Sequence, residues 1–150
     1  MPSSPVAASA VTIPELMRAA RGSYRLAVNA ELAARGLEDV PGPGGLVLGY
    51  LAGGGDSIEE MVRRLGVTRQ SFSQLVDALV ARGYVTRDPH PDDRRRMVLA
   101  LTERGTAAAD AVMAGARVVD DQLAARLTPA ELAGLRKGLA ALSEIKAALG

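Results

Sequence analysis

Apolar residues recur at helical spacing over most of this chain and alternate only briefly. Leu16, Ala20, Tyr24, Val28 and Leu32 fall four apart, which predicts a long helix over residues 12–35 that Gly36 ends. Pro41-Gly42-Pro43-Gly44-Gly45 is a turn-rich break, and an apolar stretch over 46–52 predicts a short helix stopped by Gly53-Gly54-Gly55. Ser57 stands three residues before Glu60, a capping-box spacing, and opens a helix whose Ile58, Met61, Val62 and Leu65 lie on one side. Gly66 supplies a left-handed stop and Thr68 caps the next helix. In that helix Phe72, Leu75, Val76, Leu79 and Val80 form the predicted buried stripe, with Val67 placed to staple onto Phe72. Gln70, Gln74 and Asp77 lie opposite, flanked by Ser71 and Ser73.

Two short β-forming runs follow, over 84–88 and 97–101, joined by a loop over 89–96 that is too long for a tight turn. Thr102 caps an Ala-rich helix reaching about residue 126. Thr128-Pro129-Ala130-Glu131 starts another, striped by Leu132, Leu135, Leu139, Leu142, Ile145 and Leu149. The fold class expected is mainly α, an α+β winged helix with six helices and a two-stranded hairpin. Scarce aromatics and abundant Ala and Leu agree with a helical chain.

At 150 residues the chain can bury a real core as one domain or one domain with an added helical part. It has no Cys, which excludes disulfides and thiolate metal sites, and its single histidine, His90, excludes a His-rich metal cluster. Neither a metal nor a cofactor is expected. No apolar run approaches the ~20 residues that span a bilayer, so no membrane partner is expected. The first residues lack the basic start of a secretory signal and read as a disordered tail over 1–11, and a cytoplasmic protein is expected.

The net charge of +1 is unevenly spread. Residues 1–59 sum to −2, whereas residues 60–105 carry nine Arg against six carboxylates, a local +3. The excess therefore sits in the two short helices and the hairpin, and all of it is Arg. The flat guanidinium fork fits phosphates and guanine edges in a way that Lys cannot match.

A helix-turn-helix followed by a basic hairpin is a device for reading duplex DNA. The exposed face of the second short helix offers Thr68, Arg69, Gln70, Ser71, Ser73 and Gln74 to base edges and phosphates. Arg87 and the run Arg94-Arg95-Arg96 add positive charge from the hairpin. Three consecutive Arg repel one another and contribute little to folding, so a polyanion is the better account of them. Asp92 and Asp93 are placed to pair with these Arg and hold the loop. An acid–base or metal reading of Asp92, Asp93 and His90 is weak, because no nucleophile accompanies them. With no phosphate-binding glycine motif either, an enzyme is not expected.

The segments Leu65-Gly66-Val67-Thr68-Arg69-Gln70, Leu75-Val76-Asp77-Ala78-Leu79, Arg82-Gly83-Tyr84-Val85-Thr86-Arg87, Asp93-Arg94-Arg95 and Leu101-Thr102-Glu103-Arg104-Gly105 together resemble the MarR family of winged helix-turn-helix transcriptional regulators. The chain departs from that family's pattern at Pro41 to Gly45, ahead of the motif. The resemblance implies a homodimer interlocked through the first and last two helices, and a pseudo-palindromic operator on double-stranded DNA. It implies a recognition helix in each major groove, with Asp93 bracing each wing and Arg95 inserting at its tip. The regions expected are then a dimerisation helix and linker over 12–45, a DNA-binding lobe over 46–101 and dimerisation helices over 102–150. The resemblance also implies a small aromatic or phenolic effector in a cleft, for which Arg21, Tyr24, Arg25 and Tyr50 combine aromatic walls with cations. The function expected is a ligand-responsive repressor. The alternative is a winged-helix protein-interaction module without DNA binding.

Overall fold

The computed structural model describes residues 11–150; the expected tail therefore lies almost wholly outside the described residues. The elements in order are α1 (Ile13–Ala34), α2 (Gly44–Ala52), α3 (Ile58–Leu65), α4 (Arg69–Ala81), β1 (Val85–Pro89), β2 (Met97–Leu101), α5 (Glu103–Ala124) and α6 (Pro129–Leu149). This is the expected winged-helix architecture of six helices and one antiparallel hairpin.

Local hydrogen bonds explain most helix starts. Thr12, Ser57, Thr68, Thr102 and Thr128 each accept the amide three residues on, satisfying a donor that the first turn leaves free. At α1 and α6 the reciprocal carboxylate bond is also made, by Glu15 and Glu131. At α3 it is not. Glu60 turns instead to Arg64 and Arg63, at 2.8 and 3.3 Å, so the expected box is half formed. Gly66 ends α3 at φ +63°, where only glycine is free of strain.

The second helix begins earlier than expected, at Gly44 rather than residue 46. Glycine disfavours helix on entropy alone, but here tertiary contact decides. A Cβ at Gly44 would stand 3.0 Å from a Leu79 methyl, and one at Gly45 would stand 3.3 Å from Val112. The bare backbone lets α4 and α5 close on α2. β1 likewise begins one residue later than expected and includes Pro89, opposite Met97, leaving 90–96 as the loop. Tyr84 is drawn off the strand into the end of α4, where its amide donates to Leu79 after Gly83 turns at φ +77°.

One core runs through Leu37, Val47, Leu48, Met61, Phe72, Val76, Leu79, Tyr84, Val85, Leu99 and the small residues Ala108, Ala109 and Ala111 of α5. Val80, expected in the α4 stripe, is exposed, because the stripe is narrower than expected and Val80 lies on its margin. α1 packs along α5, where Gly115 lies so close to Val28 that a Cβ would come within 2.5 Å of the Val28 Cα. The predicted α1 stripe is covered only in its second half, since Leu32 is buried and Leu16 is exposed. α6 buries no residue and does no more than touch its neighbours.

Candidate nucleic-acid interface

α4 is held by its apolar side, which leaves a polar side free. Phe72, Val76 and Leu79 enter the core, while Arg69, Gln70, Ser71, Ser73, Gln74 and Asp77 are exposed. Thr68 and Ser71 are partly committed to the helix itself. The Thr68 hydroxyl oxygen accepts the Ser71 amide at 3.1 Å, and its proton goes to the Ser71 hydroxyl at 3.0 Å. Gln70 and Gln74 carry no side-chain hydrogen bond among the described residues, which leaves their amides available to an outside partner.

The hairpin stands beside this helix. Its loop is closed by its own bonds. The His90 amide donates to the Arg96 carbonyl at 2.8 Å and the Arg96 amide to the Asp93 carbonyl at 2.9 Å. The Asp93 carboxylate accepts the Arg95 amide at 3.0 Å, and His90 Nδ1 accepts the Asp92 amide at 3.1 Å. Both side chains are thus spent on loop backbone. Arg94, Arg95 and Arg96 are exposed and form no ion pair among the described residues. Two other arginines are tethered. Arg87 on β1 reaches Asp77 of α4 at 3.1 Å, and Arg69 reaches Glu59 of α3 at 3.6 Å.

A polar junction unforeseen from the sequence anchors the lobe to the long helices. Arg104, from the first turn of α5, reaches Asp39 at 2.8 Å, the Tyr84 hydroxyl at 3.0 Å and the Arg82 carbonyl at 3.2 Å. The same guanidinium stacks over the Tyr84 ring, 4.6 Å from its centroid. Tyr84 donates to Asp39, and that bond with the Arg104 charge holds the Asp39 carboxyl below its ordinary range. Burial, reinforced by Asp39, pushes the Tyr84 phenol up. These partners are 20 to 65 residues apart, too far for any periodic pattern to expose.

The four residues considered for an effector do not converge on one cleft. Tyr24 of α1 donates to Asp120 of α5, a bond that raises its pKa. Arg21 and Arg25 are exposed on α1. Tyr50 instead lies in a cavity of about 330 Å³ bounded by α2, α3 and Val112 of α5, with Arg64 over its ring at 5.1 Å. Arg64 was not among the residues expected there. The triglycine run seats this tyrosine, since a Cβ on Gly55 would fall 2.3 Å from its ring. Among the described residues no helix is long and apolar enough to cross a membrane.

A capped helix-turn-helix, a recognition-type helix with one polar side and an Arg-tipped hairpin define the class: a winged helix-turn-helix protein. The model of the MarR family matches residues 38–96, which run from the connector before α2 to the end of the hairpin loop. That match covers the winged lobe, 59 of the 150 residues, and there the chain is similar to the MarR family, a family of transcriptional regulators.

An uncharacterized protein of Mycobacterium tuberculosis is 36% identical over 83 residues, 55% of this chain and 58% of its own length. The chain therefore spans less than two thirds of that relative. The HTH-type transcriptional repressor NicR of Pseudomonas putida is 34% identical over 68 residues, 45% of this chain and 43% of that protein. Among solved structures, a mutant MarR from E. coli complexed with operator DNA has a TM-score of 0.67 at 24% identity, covering 87% of this chain and 94% of that one. The PcaV regulator of Streptomyces coelicolor, in complex with its natural ligand, has a TM-score of 0.70 at 21% identity, covering 90% and 94%. At these identities the two structures speak for the fold.

Proposed function

We propose that the protein is a cytoplasmic transcriptional repressor that binds double-stranded DNA as a homodimer on an inverted-repeat operator. The observation that carries this is the α4 polar side, with Gln70 and Gln74 unengaged, set beside a hairpin that presents three unpaired arginines. Base edges would be read by α4, while Arg94, Arg95 and Arg96 meet the phosphates or the minor groove. On this reading Asp93 braces the wing through its bond to the Arg95 amide. The operator-bound E. coli structure and the repressor NicR support duplex binding and repression as the starting assignment.

The homodimer reading rests on α1 and α6. Ile13, Leu16 and Met17 at one end, and Leu135, Leu139, Leu142 and Ile145 at the other, are exposed in a single chain. A second copy would cover both stripes and place two recognition helices about 34 Å apart, one turn of duplex. The lobe over 46–101 would then read DNA while the flanking helices pair the subunits. An aromatic or phenolic effector fits best in the Tyr50 cavity, where a ring could lie on an apolar wall and an anionic group meet Arg64. Such a ligand would act by favouring a dimer whose recognition helices are wrongly spaced.

Selection from random duplexes, followed by anisotropy titration at several salt concentrations, tests the assignment. A palindromic site should emerge. Arg95→Ala should weaken its binding and flatten the slope of log K against log salt by about two contacts, one from each subunit, ~1.8 in slope. An unchanged slope would remove Arg95 from the interface. No selected site, with capture of an acidic protein instead, would favour the protein-interaction module.

A further inference from the structure

Asp77 occupies the position on α4 where a negative charge is hardest to explain. It follows Gln70 and Gln74 by seven and three residues and so shares their side of the helix. A helix laid in a groove with that side inward would bring a carboxylate toward a polyanion. Asp77 is 64% exposed, and its sole ion pair among the described residues is with Arg87.

Arg87 is the less exposed partner, at 34%. It is fixed at its base by the β1–β2 ladder, opposite Leu99, and its side chain crosses toward α4 beside Met97 and Phe72. One guanidinium nitrogen, Nη1, meets Asp77 at 3.1 Å. Arg carries five N–H donors in a rigid fork, so one engaged edge leaves others free for a second acceptor. The Asp77 carboxylate thus sets the direction in which the remaining donors point. The three wing-tip arginines have no such restraint.

We propose that Asp77 is a positioning and specificity-determining residue for DNA recognition. It aims Arg87 from the hairpin onto the duplex and repels any duplex on which that bridge is not completed. The inference rests on the DNA-binding reading above. On the operator, the Asp77 charge is neutralised by an Arg87 that also holds the DNA. On a non-operator duplex, with α4 seated less closely, Arg87 stays with Asp77 but does not reach the DNA, so the pair brings a carboxylate toward the phosphates with no contact in return, and like-charge juxtaposition is costly. Asp77 therefore lowers general affinity and raises discrimination.

The test is anisotropy titration of the full chain against its selected operator and against a random duplex at fixed salt. Asp77→Ala and Asp77→Asn should each tighten binding to the random duplex and weaken or leave unchanged binding to the operator. The ratio of the two affinities should fall by about tenfold. Arg87→Ala should weaken operator binding, and adding Asp77→Ala to it should cost the operator nothing more. Asp77→Glu, which keeps the carboxylate, should restore part of the ratio. An unchanged ratio, or an equal loss on both duplexes in a variant that melts like wild type, would overturn the proposal. If wild type binds its operator in the same titration, that failure belongs to Asp77 alone. If wild type binds no duplex, both readings fall.

Discussion

The winged lobe and the last helix are made largely from the same residue types, yet only the lobe is closed upon itself. In the lobe, Val47, Leu48, Val76, Leu79, Tyr84 and Val85 are almost wholly removed from water, and glycines let neighbouring backbones meet. In α6 every leucine of the stripe from Leu135 onward is exposed, up to 84% at Leu149. Helical periodicity looks the same in both regions. What differs is whether the chain itself supplies the opposing surface. An apolar stripe therefore establishes that a partner is needed and not which chain provides it.

The largest expected effect comes from breaking the closed region. Gly105→Ala would place a Cβ 1.9 Å from the Tyr84 carbonyl oxygen, so the start of α5 must move away from the Tyr84 backbone. A loss of about 3 kcal/mol or more is expected, read as a lowered midpoint in chemical or thermal unfolding. A wild-type midpoint would mean that the two backbones are not in contact. Gly115→Ala, at the α1–α5 crossing, should cost somewhat less, about 2 kcal/mol, because two helices can separate slightly to admit a methyl.

The opposite result is expected from the open region. Leu139→Glu combined with Leu142→Glu should leave the unfolding midpoint of the lobe nearly unchanged, yet shift the protein from dimer to monomer in sedimentation and weaken operator binding. Persistence of the dimer would transfer the interface to some other surface. The smallest effect concerns acid. The Asp39 carboxyl is held below its ordinary value of 3.8, chiefly by Tyr84 and with help from Arg104. A depressed carboxyl stabilises the fold above its unfolded-state value and loses that contribution as pH falls through the folded value. Stability of the lobe should therefore decline below about pH 4, and Asp39→Asn should make that decline shallower. An identical acid profile for the variant would show that the junction does not couple to protonation.

Much of the fold was legible because its signals are local. The Ser and Thr caps bond three residues ahead, and Gly66 stands where its own φ requires glycine. The start of α2 escaped because the sequence at Gly44-Gly45 announces a turn, while Leu79 and Val112 need that bare backbone in a helix. The exposed polar side of α4 was equally legible, since its apolar phase leaves few alternatives. Two parts of the site were not. Arg104 counted merely as positive charge until Asp39 and Tyr84 were brought to it by the fold. Tyr24 and Tyr50 looked equivalent as aromatic residues, but Asp120 engages one and the other lines a cavity with Arg64. Periodicity assigns a side of a helix and cannot assign the companion across a gap of many residues.

The self-closed loop of the hairpin bears on the thermodynamics of association. Its backbone is tied at His90–Arg96 and Asp93–Arg96, and again through the Asp93 and His90 side chains. A loop free in solution would surrender that conformational freedom on meeting a duplex; here most of it is surrendered when the chain folds. The remaining disorder lies in the arginine side chains, each able to lose about 2 kcal/mol of rotamer entropy. Calorimetry on the operator should accordingly find an entropic cost set by the arginine side chains and offset by the gain from released counterions, with little contribution from ordering of the loop backbone.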